Sequence, residues 1–165
     1  ILAISKQEMN PIHHMELLSL TDILKCVCQC LAPLAKDKNI QVQKKISADV
    51  MLMGNEQLLQ KAVHNIISNA IRHSPTGGEI NIDLSSQCLS VINSGVNIPE
   101  EDLDKLFTPF YRVEKSHNRL TGGSGLGLYL VKIILEQHDL SFSIRNIHDS
   151  VCFKITLNSQ NLNQN

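Results

Sequence analysis

The sequence has no tryptophan and only 4% aromatic residues, too few for the ring platforms on which single-stranded nucleic acids stack. It also lacks an excess of either charge. Lys and Arg total 15 and Asp and Glu total 16, a formal net charge of −1, which argues against a basic nucleic-acid footprint and a polybasic membrane-surface domain. No apolar run approaches the roughly 18 residues of a membrane span, and the best candidate, Leu126 to Leu135, is broken by Lys132. No basic start precedes an apolar stretch, so no signal peptide is expected. The chain opens on Ile1 rather than Met, and we read it as a fragment of something longer. Its five cysteines, Cys26, Cys28, Cys30, Cys88 and Cys152, form no disulfide framework and point to a reducing compartment. Three of them cluster like a metal box. On a helix, residues two apart diverge, and no His/Cys set has zinc-finger spacing, so they read as small apolar fillers. What remains is a chain of 165 residues with 42% hydrophobic content, enough for one domain with a sizeable core and too apolar for disorder.

Along the chain, Ile1 to Glu8 reads as the tail of a helix ended by Asn10-Pro11. His14 to Leu20 suggests a short strand. Thr21 and Asp22 are N-cap candidates for a helix to about Lys38, with a kink expected at Pro33. Ile40, Val42 and Ile46 suggest a strand, and Val50 to Met53 another. The strongest helix runs from Glu56 to His73, capped by Asn55 and closed by Ser74-Pro75-Thr76-Gly77-Gly78; its stripe is Leu59, Ala62, Val63, Ile66, Ile67, Ala70 and Ile71. Ile80, Ile82 and Leu84, then Leu89 to Ile92, read as an antiparallel pair. Pro99 opens a short helix through Leu106, Phe107 to Gly122 is a long loop, and Gly125 to His138 is helical. Two strands follow, Ser141–Ile147 and Val151–Leu157. The order implies an α+β sandwich, one sheet with helices on one face.

Three features carry chemistry. Asn65, Asn69 and Arg72 lie within about 60° of one another on their helix, facing away from the apolar stripe. Two amides and a guanidinium on one ridge offer neutral oxygens for a hard cation and a fork for phosphate, or they are a solvated polar face. Gly122-Gly123-Ser124-Gly125-Leu126-Gly127-Leu128 opens straight into an apolar helix. Its glycines would bring N–H groups to an anion, aided by the helix dipole, or serve as a hinge or packing contact. No Lys-Ser or Lys-Thr follows, so this is not a Walker loop. Asn93-Ser94-Gly95-Val96-Asn97-Ile98-Pro99, at a strand end, either reaches a base edge or is an ordinary turn.

Taken in order, with Phe107-Thr108-Pro109-Phe110-Tyr111-Arg112 before the glycines, these features closely resemble the ATP-binding catalytic domain of sensor histidine kinases, the Bergerat (GHKL) fold. The resemblance runs from about Thr21 to Leu157. It implies a mixed sheet with helices on one face, a catalytic domain over residues 11–157, the end of a dimerisation helix and linker over 1–10, and a disordered tail over 158–165. It also implies ATP and Mg²⁺ as ligands. Asn69, with Asn65, would coordinate Mg²⁺. Arg72 stands where the family usually has a phosphate-binding Lys, and His73 where an aromatic lies beside the nucleotide. Asn93, Gly95, Asn97 and Ile98 would form the base-binding box. Phe110, Arg112 and the lid Val113–Thr121 would fold over the triphosphate, which Gly123, Ser124, Gly125, Leu126, Gly127 and Leu128 would line.

Hydrolysing relatives carry Glu where Asn65 stands, and Asn cannot take a proton at neutral pH. ATP would therefore survive until an imidazole attacks its γ-phosphoryl group, with catalysis by positioning and charge neutralisation. The acceptor histidine is not expected in this chain: His13 and His14 read as linker or surface groups, His117 as a solvated lid residue, and His138 as a cap or dipole partner at a helix C-terminus. The family's base-binding box opens with Asp; Asn93 can still accept from the adenine amino group but without charge, a loss on the order of 1 kcal/mol. This leaves a second reading open, a non-catalytic GHKL interaction module that binds nucleotide poorly and regulates a partner. The implied partners of the kinase are its own dimerisation and histidine-phosphotransfer domain and a response regulator, with a homodimeric full-length protein, a monomeric fragment, and no nucleic acid. Asn93 and Ser141–Asn146 resemble bacterial kinases of cell-envelope or glycopeptide stress, including the vancomycin-resistance sensor (VanS) group. That implies the cytoplasmic domain of a membrane-anchored sensor.

Overall fold

A computed structural model describes residues 14–113 and 124–157. The expected dimerisation helix, the lid from 114 to 121, Gly123 and the tail from 158 lie outside these residues. Elements follow in the order β1 (Glu16–Ser19), α1 (Leu20–Asp37), β2 (Gln41–Ile46), β3 (Met51–Gly54), α2 (Glu56–His73), β4 (Glu79–Leu84), β5 (Cys88–Ser94), α3 (Glu100–Leu103), α4 (Gly127–Gln137), β6 (Ser141–Ile147) and β7 (Ser150–Thr156).

One five-stranded sheet has the order β2-β4-β5-β7-β6. Only β2 and β4 are parallel, and such a pair needs a long crossover, which β3 and α2 supply. Alternation then decides the layers. Ile80, Ile82 and Leu84 of β4, Leu89 and Val91 of β5, and Phe153 and Ile155 of β7 are buried in one core with the apolar stripes of α1, α2 and α4. The register places Asn93 opposite Val151, on the helix-facing side of β5 with Leu89 and Val91. The expected sandwich is therefore present, with its helices on one face.

The differences in detail have local causes. The N-cap of α1 is Ser19, whose Oγ accepts from Asp22 N at 3.1 Å, not Thr21 or Asp22. Thr21 is buried and its hydroxyl accepts from Val50 N at 2.9 Å. The second expected strand does not join the main sheet: β3 pairs antiparallel with β1 alone. Pro33 lies inside α1 on an exposed position, where water can replace the hydrogen bond it cannot donate. The helix after Pro99 ends at Leu103. Of the cysteine cluster only Cys28 is buried; Cys26 and Cys30 are exposed, and all five are free thiols. Among the described residues no group of three His, Cys, Asp or Glu could hold a metal, and no helix is long and apolar enough to cross a membrane.

Two tethers fix α2, the helix that carries the polar ridge. At its C-terminus, Lys38 Nζ donates to the carbonyls of Ile71, Arg72 and Ser74 at 3.0, 2.8 and 2.6 Å, satisfying acceptors a helix end leaves without intrahelical partners. At its N-terminus, Asn55 caps Leu58 N through Oδ1 at 3.0 Å, while Asn55 N donates to His138 Nε2 at 3.0 Å. His138 Nδ1 lies 2.6 Å from the Ile134 carbonyl, so the tautomer consistent with both contacts carries its proton on Nδ1. His138 is thus the C-cap of α4, as expected, but acts as a buried, neutral bridge from α4 to α2 rather than as a charged partner of the dipole. Burial holds its imidazole below the usual histidine pKa, outweighing the opposing effects of the Ile134 carbonyl and Asp139. The unfolded chain then binds this proton more readily than the folded one. Stability from this group is complete above the unfolded pKa of about 6.5 and is lost as pH falls below it toward the folded value. Thermal denaturation between about pH 8 and pH 5 is expected to show this loss, and His138→Gln, which cannot titrate, to remove this share of it.

Candidate functional site

On α2, Asn65 and Asn69 are half-buried and Arg72 and His73 exposed. Asn65 Nδ2 is held by the Lys61 carbonyl at 3.0 Å, which fixes the orientation of its carboxamide. Asn69 Oδ1 lies 3.5 Å from Arg72 Nη1, at the outer limit of a hydrogen bond, so that oxygen is only lightly engaged. The ridge is therefore covered along part of its length. The cover is the first turn of α4: a Cβ on Gly127 would stand 3.2 Å from Asn65 Oδ1 and 3.8 Å from Asn69 Nδ2. A Cβ here would touch the Asn65 carboxamide tightly enough to push it by a few tenths of an ångström, so glycine lets this helix end reach the two carboxamides without displacing them. The N-cap position of α4 is Leu126, which makes no side-chain capping bond. Its opening N–H groups, not capped by the Leu126 side chain, stand beside two neutral oxygens, an arrangement suited to phosphate and a hard cation together.

Two further contacts assemble the remaining motifs. Pro75, just after α2, lies 3.0 Å from where a Cβ on Gly95 would be, and Gly95 has φ +72, a conformation that favours glycine. This sets the turn after β5 against the end of the ridge. Phe110 N donates to Gly125 O at 2.9 Å, and a Cβ on Gly125 would meet the Phe110 backbone at 2.8 Å. Both residues have positive φ, 65 and 70, and Phe110 is 68% exposed. The other aromatic of this segment does the anchoring: Phe107 packs edge-on against Phe142 and Phe153, with centroids at 5.1 and 6.3 Å. Tyr111 adds a hydrogen bond to Asp102. Arg112 and Ser124 are exposed, and Leu126 and Leu128 half-buried.

Asn93 is 7% exposed, yet its carboxamide makes no hydrogen bond with another described residue and no polar atom of it is sealed from solvent. A carboxamide held at a strand end with its bonding capacity unspent suits the edge of a base. Asn97 is placed differently. In the amide orientation that satisfies both ends it donates to His148 O at 2.9 Å and Val96 O at 3.3 Å, so its side chain serves the neighbouring hairpin. Ile98 is half-buried and its backbone is gripped by Asn146, a residue to which the sequence reading gave no site role. A cavity of about 470 Å³ lies elsewhere, between α1 and β2; its lining includes Ile67 and Ile71 on the opposite face of α2 and none of the motif residues.

The sequence pattern described as histidine kinase-, DNA gyrase B- and HSP90-like ATPase matches residues 54–161. The sensor protein VanSB of Enterococcus faecalis is 38% identical over 128 residues, 75% of this chain and 29% of VanSB. The probable sensor kinase SilS of Salmonella typhimurium is 36% identical over 120 residues, 70% of this chain and 24% of SilS. This chain thus spans less than a third of these relatives. The nucleotide-free catalytic domain of the histidine kinase ThkA superposes with a TM-score of 0.74 at 26% identity, covering 87% of this chain and 96% of that one. ThkA in complex with the response regulator protein TrrA gives a TM-score of 0.69 at 22% identity, covering 88% of this chain and 42% of that one.

Proposed function

This chain belongs to the histidine kinase-, DNA gyrase B- and HSP90-like ATPase family, and we propose that it is the Mg-ATP-binding domain from which a sensor histidine kinase phosphorylates a histidine on its own dimerisation domain. The observation that carries the proposal is the approach of the α4 N-terminus, through Gly127, to Asn65 and Asn69. The unspent Asn93 carboxamide, at the base-binding end, accords with it. The donor set fits the metal: Mg²⁺ bound mainly by phosphates and waters needs few protein oxygens. When bound, the ion supplies neutralisation of phosphate charge. Asn69 and Asn65 would hold it through their Oδ1 atoms.

The α4 N–H groups, with Gly123, Ser124, Gly125, Leu126, Gly127 and Leu128, would line the triphosphate, and Arg72 and Arg112 would add positive charge. His73 and Phe110 would flank the nucleotide, and Asn93, Gly95 and Ile98 would receive the base. Asn65 cannot act as a base for water. A neutral imidazole nitrogen of the acceptor forms a bond to the γ-phosphorus, and the bond from that phosphorus to the β,γ-bridging oxygen breaks, releasing ADP. Such a transfer asks the protein for alignment and charge balance, not proton removal.

The phosphoryl group would then pass to a response-regulator Asp, and the full-length protein would act as a homodimer. The likeness to VanSB supports placing it among membrane-anchored sensors of envelope or glycopeptide stress, with this domain cytoplasmic. Thermal denaturation with a non-hydrolysable ATP analogue tests the binding step. Ligand at 100 times Kd is expected to add about 2.7 kcal/mol of stability, and the gain should depend on Mg²⁺. No shift at millimolar analogue would favour the non-catalytic interaction module instead.

A further inference from the structure

Beyond the residues that would touch nucleotide, we infer that Asn146 is a positioning residue for base recognition, acting through the backbone of Ile98; the inference rests on the nucleotide reading above. The β5–β7 ladder ends at Ser94, paired with Ser150. The chain then leaves the sheet, but the next residues are stitched along the β6–β7 hairpin. Gly95 N donates to Asp149 O at 2.7 Å. The Asn97 carboxamide donates to His148 O at 2.9 Å. Ile98 N donates to Asn146 Oδ1 at 2.9 Å, and Asn146 Nδ2 donates back to Ile98 O at 2.7 Å and to Glu100 Oε1 at 3.2 Å. One carboxamide thus engages both backbone groups of one residue, as a neighbouring strand would. Pro99, next in the chain, has no N–H with which to pin the loop. The span from Gly95 to Ile98 therefore takes its shape from the β6–β7 hairpin at one end of the loop and from Asn146 at the other. That span borders Asn93, so its shape decides how a base edge meets the Asn93 carboxamide.

Asn146→Leu keeps the volume and removes all three hydrogen bonds; Asn146→Asp keeps the acceptor for Ile98 N but turns a carboxylate toward Ile98 O and Glu100. In Asn146→Leu, ATP affinity by calorimetry is expected to fall about tenfold, and in Asn146→Asp at least as far. Affinities for GTP and inorganic tripolyphosphate, both with Mg²⁺, should stay unchanged, so the preference for ATP over GTP shrinks by the same factor. The Ile98 amide, followed by hydrogen exchange without nucleotide, should lose protection in Asn146→Leu. A purely structural role would weaken all three ligands together, and that result overturns the inference, as does an unchanged ATP-to-GTP ratio in a variant of a chain that binds ATP. If the unaltered chain binds no ATP, the nucleotide reading itself falls, and this inference with it.

Discussion

Asn69→Ala is expected to lower phosphotransfer from ATP by about a hundredfold to a thousandfold, the scale seen when one preorganised electrostatic group is deleted from a reacting centre. The same change should cost little stability. Asn69 is half-buried, and the one side-chain contact described for it is the long 3.5 Å approach of Arg72. No sealed polar atom is orphaned by its removal, and Ala is the better helix former. Function and folding therefore separate cleanly at this position. Asn65→Ala should separate them less, because its carboxamide is also bonded to the Lys61 carbonyl. The measurement is transfer of labelled phosphate to the kinase's own histidine-bearing domain, alongside thermal denaturation of each variant. A Mg²⁺ titration adds the diagnostic: the metal concentration needed for half-maximal ATP binding should rise steeply in Asn69→Ala. If Asn69→Ala transfers phosphate as the unaltered protein does, the two-carboxamide site is misassigned.

The legibility of the chain follows from how local each cause is. Helix α2 could be read end to end because its cap, stripe and closing turn are all written within about twenty residues. At the start of α1, Ser19, Thr21 and Asp22 are all chemically fit to cap. The choice falls to Ser19 because the Thr21 hydroxyl is taken by Val50 N, a contact no local pattern encodes. The same limit hid the pairing of β3 with β1 rather than with the main sheet. His138 does cap α4, as its place at a helix C-terminus suggests; that it does so buried and neutral, taking a bond from Asn55 N, was not legible, because Asn55 is far away in sequence. Asn146 carries no signal of its own: an Asn in an edge strand is unremarkable until Ile98, 48 residues away, is found against it. The site motifs were legible as an ordered set, by resemblance. What the sequence could not supply were the three close approaches that join them, Gly127 to Asn65, Gly95 to Pro75 and Gly125 to Phe110.

Two of those approaches set up a paired experiment in which stability and binding are expected to part. Gly127 is the first residue of α4, and its φ is not in the left-handed region, so Ala is conformationally welcome and should add up to about 1 kcal/mol of helix stability. Its methyl, however, would stand 3.2 Å from Asn65 Oδ1, in the space where phosphate and metal are to meet. Gly127→Ala should therefore raise Tm while weakening Mg-ATP binding about tenfold or more, a loss on the order of 1.4 kcal/mol. Gly125→Ala should fail on both counts. Its φ of +70 disfavours a side chain, and the obstructing atoms at 2.8 Å are Phe110 backbone, which cannot rotate away. A cost of about 1–3 kcal/mol in stability is expected, with loss of the Phe110 N to Gly125 O bond and of the nucleotide affinity that the assembled mouth provides. The comparison is decisive because simple destabilisation would make binding follow Tm in both variants. A Gly127→Ala protein that is more stable and still binds Mg-ATP at full strength would show that the α4 N-terminus does not face the phosphates.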